Sequence, residues 1–296
     1  MKIAVIFTNH LRTLPYTKEI LKAFYPTNTD YFLCSWPDNH GMFTLSETKK
    51  LMEQHNIGNY LEFIDTKHAF HSLDLKELTE VREFFNFKRE STLTMEEFKL
   101  WHNKNLFKLF GDSKLYTTFN FYRRFVKQKA WEMIEDLRND YDYIVFNRCD
   151  YVPISPDHKF TDYNFKKYDL YTNRLKISQG LLEFNDNLFV SKPDALYSLF
   201  ENSFEKIETL VDSPIFGDKA QFLKSHRLEG MLIFLSNIRT TGNLPFECIK
   251  VMKDDIINAG GIYTDKPAVV DENIITTAHY KDMGPWMREV ISKISN

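Results

Sequence analysis

The chain has 296 residues, with 38 Lys and Arg against 41 Asp and Glu, so its formal charge is −3. This balance offers no basic excess to neutralise a phosphate backbone, which argues against general nucleic-acid binding. Hydrophobic residues make up 43% and charged residues 27% of the chain, an ordinary globular composition. No run of about 18 apolar residues occurs, so no transmembrane segment is predicted.

Several common motifs are absent from the sequence. No two glycines have the G-x-G spacing and no G-K-[ST] occurs, which excludes the dinucleotide fingerprint and the P-loop. The three cysteines, Cys34, Cys149 and Cys248, are far apart, which argues against a disulfide scaffold or a zinc ribbon. Their usage favours a reducing compartment, and we therefore expect a cytoplasmic location.

Strands and helices alternate through the first third of the chain. The apolar run at residues 3–7 is too short for a signal-peptide core and predicts a strand covered on both faces. A helix is predicted after it, with Tyr16, Ile20 and Phe24 on one face. The next predicted elements are a strand at 30–36, a polar helix at 46–55 and a strand at 61–64. This order predicts a parallel, three-layer α/β core.

The rest of the chain is predicted to continue the same α/β unit. Helical periodicity occurs at residues 74–87, 94–110 and 117–139, and the last of these has Phe125, Ala130 and Ile134 roughly on one side. A buried strand is predicted at 143–146. Further short strands are predicted at 169–172 and 188–191, and further helices at 193–211, 226–237 and 284–295.

The most informative segment is YDYIVFNRCDY, at residues 141–151, where an apolar strand ends in Arg148 and Asp150. In open α/β sheets, ligands bind beyond the carboxyl ends of the strands. A carboxylate there can coordinate Mg²⁺ or Mn²⁺, and a planar guanidinium suits bidentate contact with a phosphate. Alternatively, the two side chains only pair with each other or cap the following turn.

This segment resembles the R-x-D motif of GT-A-type glycosyltransferases, in a group found among capsule and lipopolysaccharide enzymes and their viral relatives. Other stretches are similar to the same group and occur in the same order along the chain. They are IAVIFTNHLRT at residues 3–13, DYFLCSWPD at 30–38, NDNLFVSK at 185–192 and the predicted helix at 226–238. The first stretch holds the Arg-Thr pair of the family's pattern but lacks its glycine.

The resemblance implies a GT-A-like, Rossmann-like three-layer sandwich with a mostly parallel sheet and added helices. It implies transfer of a sugar from a nucleoside-diphosphate sugar to a glycan hydroxyl. Residues 1–296 would form one domain, with a nucleotide-binding half to about residue 150 and an acceptor-binding half from 151 to 296. In place of this function, we also consider another nucleotide- or phosphate-handling transferase, such as a nucleotidyltransferase, and a catalytically inactive relative that binds a glycan or a partner.

The resemblance also implies a divalent cation, Mn²⁺ or Mg²⁺, at the R-x-D aspartate. Carried over, Asp150 is a metal ligand and Arg148 is its neighbour on the phosphate side. Many GT-A enzymes place a late histidine on the metal, which makes His279 a second candidate ligand; the alternative is an ordinary loop histidine. Because Arg148 replaces the first carboxylate of a full D-x-D motif, the alternative is that Arg and Lys side chains take the place of the cation.

The remaining candidate site residues follow from their positions along the chain. Thr8 and Arg12 end or follow the first predicted strand, where the nucleotide is expected; a solvated loop arginine is the alternative for Arg12. Arg123 and Lys127 are four residues apart and share a helix face, from which they could reach a diphosphate; a solvated helix face is the alternative. Asp186 is the candidate base for the acceptor hydroxyl, and an Asx-turn or strand-end cap is its alternative role.

One acidic residue on a later helix has two interpretations. Glu229 lies in the first turn of the helix predicted at 226–237. It is either a second acidic group of the acceptor site or a favourable partner of the helix dipole.

Overall fold

A computed structural model describes most of the chain. The described residues are 1–9, 11, 14–36, 53, 75–105, 115–149, 151–153, 158–173, 175–178, 181–184, 187–211, 227–246, 248–250, 269–271, 274–276 and 292. The chain divides into two compact units, Met1–Val251 and Met252–Asn296. The assignment of residues 1–296 to one domain stays a prediction. None of the helices within the described ranges combines the length and the apolar character that a membrane crossing requires.

The strands and helices are numbered in chain order over the described residues. The strands are β1 Ile3–Asn9, β2 Asp30–Ser35, β3 Arg89–Thr92, β4 Tyr143–Arg148, β5 Tyr151–Pro153, β6 Leu170–Thr172, β7 Leu175–Ser178, β8 Leu181–Phe184, β9 Leu188–Ser191, β10 Thr240–Thr241, β11 Cys248–Lys250, β12 Val269–Asp271 and β13 Ile274–Thr276. The α-helices are α1 Leu14–Phe24, α2 Leu75–Phe85, α3 Met95–Asn105, α4 Leu115–Glu132, α5 Pro193–Phe200, α6 Ser203–Val211 and α7 Arg227–Leu235. Two 3₁₀ helices are formed by Glu135–Asp140 and Phe160–Asp162.

The larger unit is built on a seven-stranded sheet with the order β10-β6-β9-β4-β1-β2-β3. β1 is parallel to β2 and β4, β2 to β3, and β6 to β10, whereas β9 is antiparallel to both of its neighbours. Six strands therefore point in one direction and β9 points in the other. The predicted α/β class with a mostly parallel sheet is confirmed.

Helices cover both faces of this sheet, which gives the predicted three layers. Successive side chains of a strand point to opposite faces. Ile6 and Phe146 accordingly belong to one buried core, which packs against α4, α5 and α7. Val5 and Val145 belong to a second core, which packs against α1 and α2. The smaller unit contains the antiparallel pair β12 and β13.

The predicted apolar face of α1 is wrong at one position. Ile20 is 51% exposed, whereas Leu14, Leu21 and Phe24 are buried. The buried residues are spaced by seven and three, which follows the helical period. Four residues advance by about 40° more than a full turn around the helix axis, so Ile20 lies about 40° from Phe24, beyond the edge of the buried stripe.

Other predicted elements differ from those observed or fall outside the description. The helix predicted at 193–211 is broken into α5 and α6 at Asn202, whose φ of 50° is left-handed. Asn tolerates this conformation better than most residues, and the sequence carries no Gly or Pro there. The elements predicted at 46–55, 61–64 and 284–295 lie outside the described residues, apart from Glu53 and Ser292. The edge position beside β2 is occupied by β3.

Candidate functional site

The carboxyl ends of β1, β2 and β4 lie together at one edge of the central sheet. Thr8 of β1 pairs in register with Cys34 of β2 on one side and with Arg148 of β4 on the other. All three residues are buried. The strand order runs from β1 outward to β3 and then continues with β4 on the opposite side of β1, so it reverses between β1 and β4. A reversal of this kind opens the crevice in which α/β sheets bind ligands.

The end of β4 is joined to the start of β9 through Arg148. Arg148 is 6% exposed, and its Nη1 donates a hydrogen bond to Oδ1 of Asn187 at 2.8 Å. The backbone N–H of Arg148 also donates to the carbonyl of Asn187 at 2.8 Å. Nδ2 of Asn187 donates in turn to Oη of Tyr151 at 3.0 Å. One carboxamide therefore orients the guanidinium and links β4, β5 and β9.

Helix α4 runs across the same face of the sheet, antiparallel to its strands. At the carboxyl end of β2, Sγ of Cys34 donates to the carbonyl of Val126 at 3.7 Å. At the amino end of β3, Nη1 of Arg89 donates to the carbonyl of Met133, which follows α4, at 2.8 Å. These two contacts fix the direction of the helix. The residues of α4 that precede Val126, Arg123 among them, therefore lie toward the carboxyl edge of the strands.

Two basic residues of α4 share one carboxylate of α7. Nζ of Lys127 donates to Oε1 of Glu229 at 2.7 Å, and Nη1 of Arg124 lies 3.9 Å from the same oxygen. The Arg124 guanidinium lies 4.5 Å above the ring of Phe200, and its Nη2 donates to the carbonyl of Leu199 at 3.5 Å. Burial lowers the pKa of Arg124 to about 10, partly opposed by the charge of Glu229, so Arg124 is a cation at neutral pH.

A close approach between α7 and β8 fixes the position of this carboxylate. Gly230 directly follows Glu229, and a Cβ at Gly230 would overlap the carbonyl oxygen of Leu182. Glycine therefore allows the helix to pack directly on the strand backbone. The helix turn that carries Glu229 is held at a fixed depth against the β7–β8 hairpin.

The predicted site residues divide between the described and the undescribed parts of the chain. Those described are buried or half-buried: Thr8, Arg123, Lys127 and Arg148. They belong to β1, α4 and β4, the elements that meet on one face of the sheet. The others lie outside the described residues: Arg12, Asp150, Asp186 and His279. The structure pairs Thr8 with Arg148 and places Arg123 and Lys127 on the helix that packs against β1, and the roles of all eight candidates stay predictions.

The described residues by themselves do not fit a divalent cation. Within the described ranges, no three His, Cys, Asp or Glu side chains form a group that could hold a metal ion. The described groups at the ends of β1, β4 and β9 are a guanidinium, carboxamides and hydroxyls, whereas Mg²⁺ prefers carboxylate and water oxygens. A metal site at Asp150 and His279 therefore stays a prediction about residues outside the described ranges.

Two residues that organise this edge were missed by sequence reasoning. Asn187 holds the guanidinium of Arg148, and Asn147 bonds the backbone of the junction that follows β4. Both are asparagines at a strand end, where such side chains commonly bond to nearby backbone groups. That local preference was the available signal, and it is weaker in the sequence than the charges of the neighbouring residues Arg148 and Asp186.

Comparisons with known proteins identify no relative by sequence. Neither a family model nor a curated protein matches this chain. Among solved structures, the galactosyltransferase LgtC in complex with donor and acceptor sugar analogues is 10% identical, covering 81% of this chain and 71% of its own, with a TM-score of 0.39. The glycosyltransferase GlyE of Streptococcus pneumoniae TIGR4 is 10% identical, covering 81% of this chain and 44% of its own, with a TM-score of 0.37. A UDP-glucose pyrophosphorylase complexed with UDP-glucose is 11% identical, covering 85% of this chain and 90% of its own, with a TM-score of 0.30. These TM-scores are too low to establish a shared fold.

Proposed function

We propose that this chain is a GT-A-type glycosyltransferase that moves a sugar from a nucleoside-diphosphate donor to a glycan hydroxyl. The observation that carries the proposal is the pairing of Thr8 with Arg148 at the carboxyl edge, between the two strands where the strand order reverses. Open α/β sheets bind nucleotides in such a crevice. The R-x-D resemblance independently assigns donor binding to the same strand end.

Arg148 is proposed to bind the diphosphate of the donor. Its guanidinium is buried and oriented by Asn187, so little reorganisation is needed when a ligand binds. Negative charge develops on the diphosphate as the glycosidic bond to the donor breaks. A fixed cation in a poorly hydrated site stabilises that charge more strongly than a mobile, solvated one.

The basic half of α4 is proposed to add to this positive field. Lys127 and Arg123 are one helical turn apart, and they flank Val126, whose carbonyl accepts from Cys34 at the carboxyl end of β2. Lys127 and Arg124 share the single carboxylate of Glu229, so these three side chains together carry a net positive charge. Thr8 and Arg12 are proposed to contact the nucleotide from the end of β1.

Asp186 is proposed as the base that accepts the proton of the acceptor hydroxyl. It directly precedes Asn187, which is hydrogen-bonded to Arg148, so the base would stand beside the proposed diphosphate ligand. Asp150 and His279 are the proposed ligands of Mn²⁺ or Mg²⁺. No step is assigned to the cation, because the described residues do not form its ligand set.

The proposal is tested first by nucleotide binding. The melting temperature is measured with UDP, GDP, CMP and dTDP, each with and without Mn²⁺. A ligand at about a hundred times its dissociation constant stabilises a protein by roughly 2.7 kcal/mol, which is a clear shift. We expect one nucleotide to stabilise the chain selectively. If none of the four shifts the transition, the proposal is wrong.

The second test replaces the two proposed acidic groups. We expect Asp150→Asn to abolish sugar transfer at an unchanged melting temperature, and Asp186→Ala to lower kcat far more than donor affinity. Asp142→Asn, at the amino end of β4, is the matched control and should keep full turnover. Full turnover in Asp150→Asn would contradict the proposed site, and equal losses of kcat and affinity in Asp186→Ala would make that residue a binding group.

A further inference from the structure

Side-chain donors hold the backbone of the junction between β4 and β5. Nδ2 of Asn147 donates to the carbonyl of Arg148 at 2.5 Å and to the carbonyl of Tyr151 at 2.9 Å. One amide group thereby bridges the two ends of the junction. Oγ1 of Thr17, from α1, donates to the carbonyl of Cys149 at 3.3 Å. The carbonyls of three junction residues are thus bound by side chains of the fold.

A buried tyrosine fixes the orientation of the bridging amide. Oη of Tyr25 donates to Oδ1 of Asn147 at 2.8 Å. The reversed amide would place its oxygen against two carbonyl oxygens, so the observed orientation is the one that satisfies every group. Burial raises the pKa of Tyr25 well above its ordinary value, so its hydroxyl keeps the proton that it donates. The ring is held in place by Phe24 and Phe160, with centroids 5.2 and 5.7 Å away.

These contacts approach the junction from the opposite side of the sheet to the proposed donor. Asn147 and Arg148 are neighbours in one strand, so their side chains point to opposite faces. Asn147 is fully buried on the face that carries α1, whereas Arg148 lies on the face that carries α4. The amide can therefore control the backbone of the junction without touching a substrate on the other face.

We infer that Asn147, oriented by Tyr25 and assisted by Thr17, is a positioning residue that fixes how the β4–β5 junction presents Arg148 to the donor. The inference rests on the proposed function, which places Arg148 against the diphosphate. Displacement of a reacting or binding group by about 1 Å costs on the order of a hundredfold in rate. The relay from Tyr25 to Asn147 prevents such displacement.

The experiment compares two tyrosines whose hydroxyls are both buried and hydrogen-bonded. Tyr25→Phe removes the hydroxyl that orients Asn147 and keeps the packed ring. Tyr171→Phe is the matched control, because Oη of Tyr171 accepts a hydrogen bond from the backbone N–H of Tyr168 at 2.9 Å, away from the junction. We expect similar changes in melting temperature, but a fall in kcat of about tenfold or more for Tyr25→Phe alone. Thr17→Val, a second isosteric variant, should lower kcat in the same direction.

A double variant separates positioning from a general loss of stability. If Tyr25 acts through the junction, Tyr25→Phe should reduce donor affinity and kcat by a smaller factor once Arg148→Met has removed the presented group. If Tyr25→Phe lowered donor affinity and kcat by the same factors with and without Arg148→Met, the inference would be contradicted. So would wild-type kcat in both Tyr25→Phe and Thr17→Val while Asp150→Asn is inactive, an outcome that leaves the proposed function intact. Full turnover in Asp150→Asn would instead refute the proposed function itself.

Discussion

The two edges of the central sheet are held by different interactions. At the amino edge, opposite charges pair: Nζ of Lys88 lies 2.9 Å from Asp30, and Asp169 binds both Lys192 and Arg239 at 2.9 Å. At the carboxyl edge, the described contacts are formed by carboxamides, hydroxyls and backbone carbonyls. In the first arrangement opposite charges hold neighbouring strands together. In the second, the carboxamide of Asn187 fixes the direction of the Arg148 guanidinium by a hydrogen bond.

The largest effect that we expect is the loss of activity when Arg148, at the carboxyl edge, is replaced. Arg148→Met keeps the length of the side chain and removes its charge and its bond to Asn187. We expect kcat/KM to fall about a hundredfold, which corresponds to about 2.7 kcal/mol in the transition state, with a stability loss of only about 1 kcal/mol. Initial rates and urea unfolding measure the two quantities. Arg239→Met, at the amino edge, is the control, and an equal loss of activity in it would end the distinction between the edges.

The converse change at the amino edge should alter stability and leave activity intact. Asp169→Asn removes the charge that Arg239 contacts through two nitrogens and that Lys192 contacts from β9. We expect a loss of about 1–2 kcal/mol in the free energy of unfolding, measured in urea, and an unchanged kcat. Asp140→Asn, an exposed acid, should change stability by less than about 0.5 kcal/mol. A fall in kcat for Asp169→Asn at full occupancy of the donor would be evidence against this division of roles.

The smallest effect that we expect is a change with pH in the contribution of Asp169 to the free energy of unfolding. Hydrogen bonds from Arg239, and then from Lys192, hold the pKa of Asp169 well below its ordinary value. A group with a lowered pKa in the folded state stabilises the fold above its unfolded pKa, and this contribution is lost as pH falls through the folded value. The difference in unfolding free energy between the wild type and Asp169→Asn should therefore narrow by up to about 1 kcal/mol as the pH falls below about 4. Urea unfolding at successive acidic pH values measures it, and a constant difference would contradict the ion-pair explanation.

The parts of the fold that were predicted correctly are those with a strong local pattern. Apolar runs identified β1, β2, β4 and β9, because strands covered on both faces carry such runs. β3 was missed, because its four residues, Arg89–Thr92, are half-exposed and carry no apolar signal. The break at Asn202 was missed because the periodicity on both sides of it is compatible with one helix. Tertiary packing decides these cases, and a single sequence does not display it.

The candidate site was also predicted only where a local sequence pattern marks its residues. Arg148 was found because a charged residue at the end of an apolar strand is conspicuous in the sequence. The bond from Tyr25 to Asn147 joins neutral residues 122 positions apart, and no local pattern connects them. Lys127 and Glu229, which are 102 positions apart, were given separate roles, and no sequence pattern indicates that they form one buried ion pair.

The reversed direction of β9 has a consequence for how the molecule can vary. Because β6 ends and β9 begins at the same edge, the chain between Thr172 and Leu188 returns without crossing the sheet. The β7–β8 hairpin is an insertion in that return. Its length can change while every strand of the scaffold keeps its register. Because α7 packs on the backbone of β8 at Gly230, a change in this hairpin would instead move Glu229 and the two basic residues of α4 that share its carboxylate.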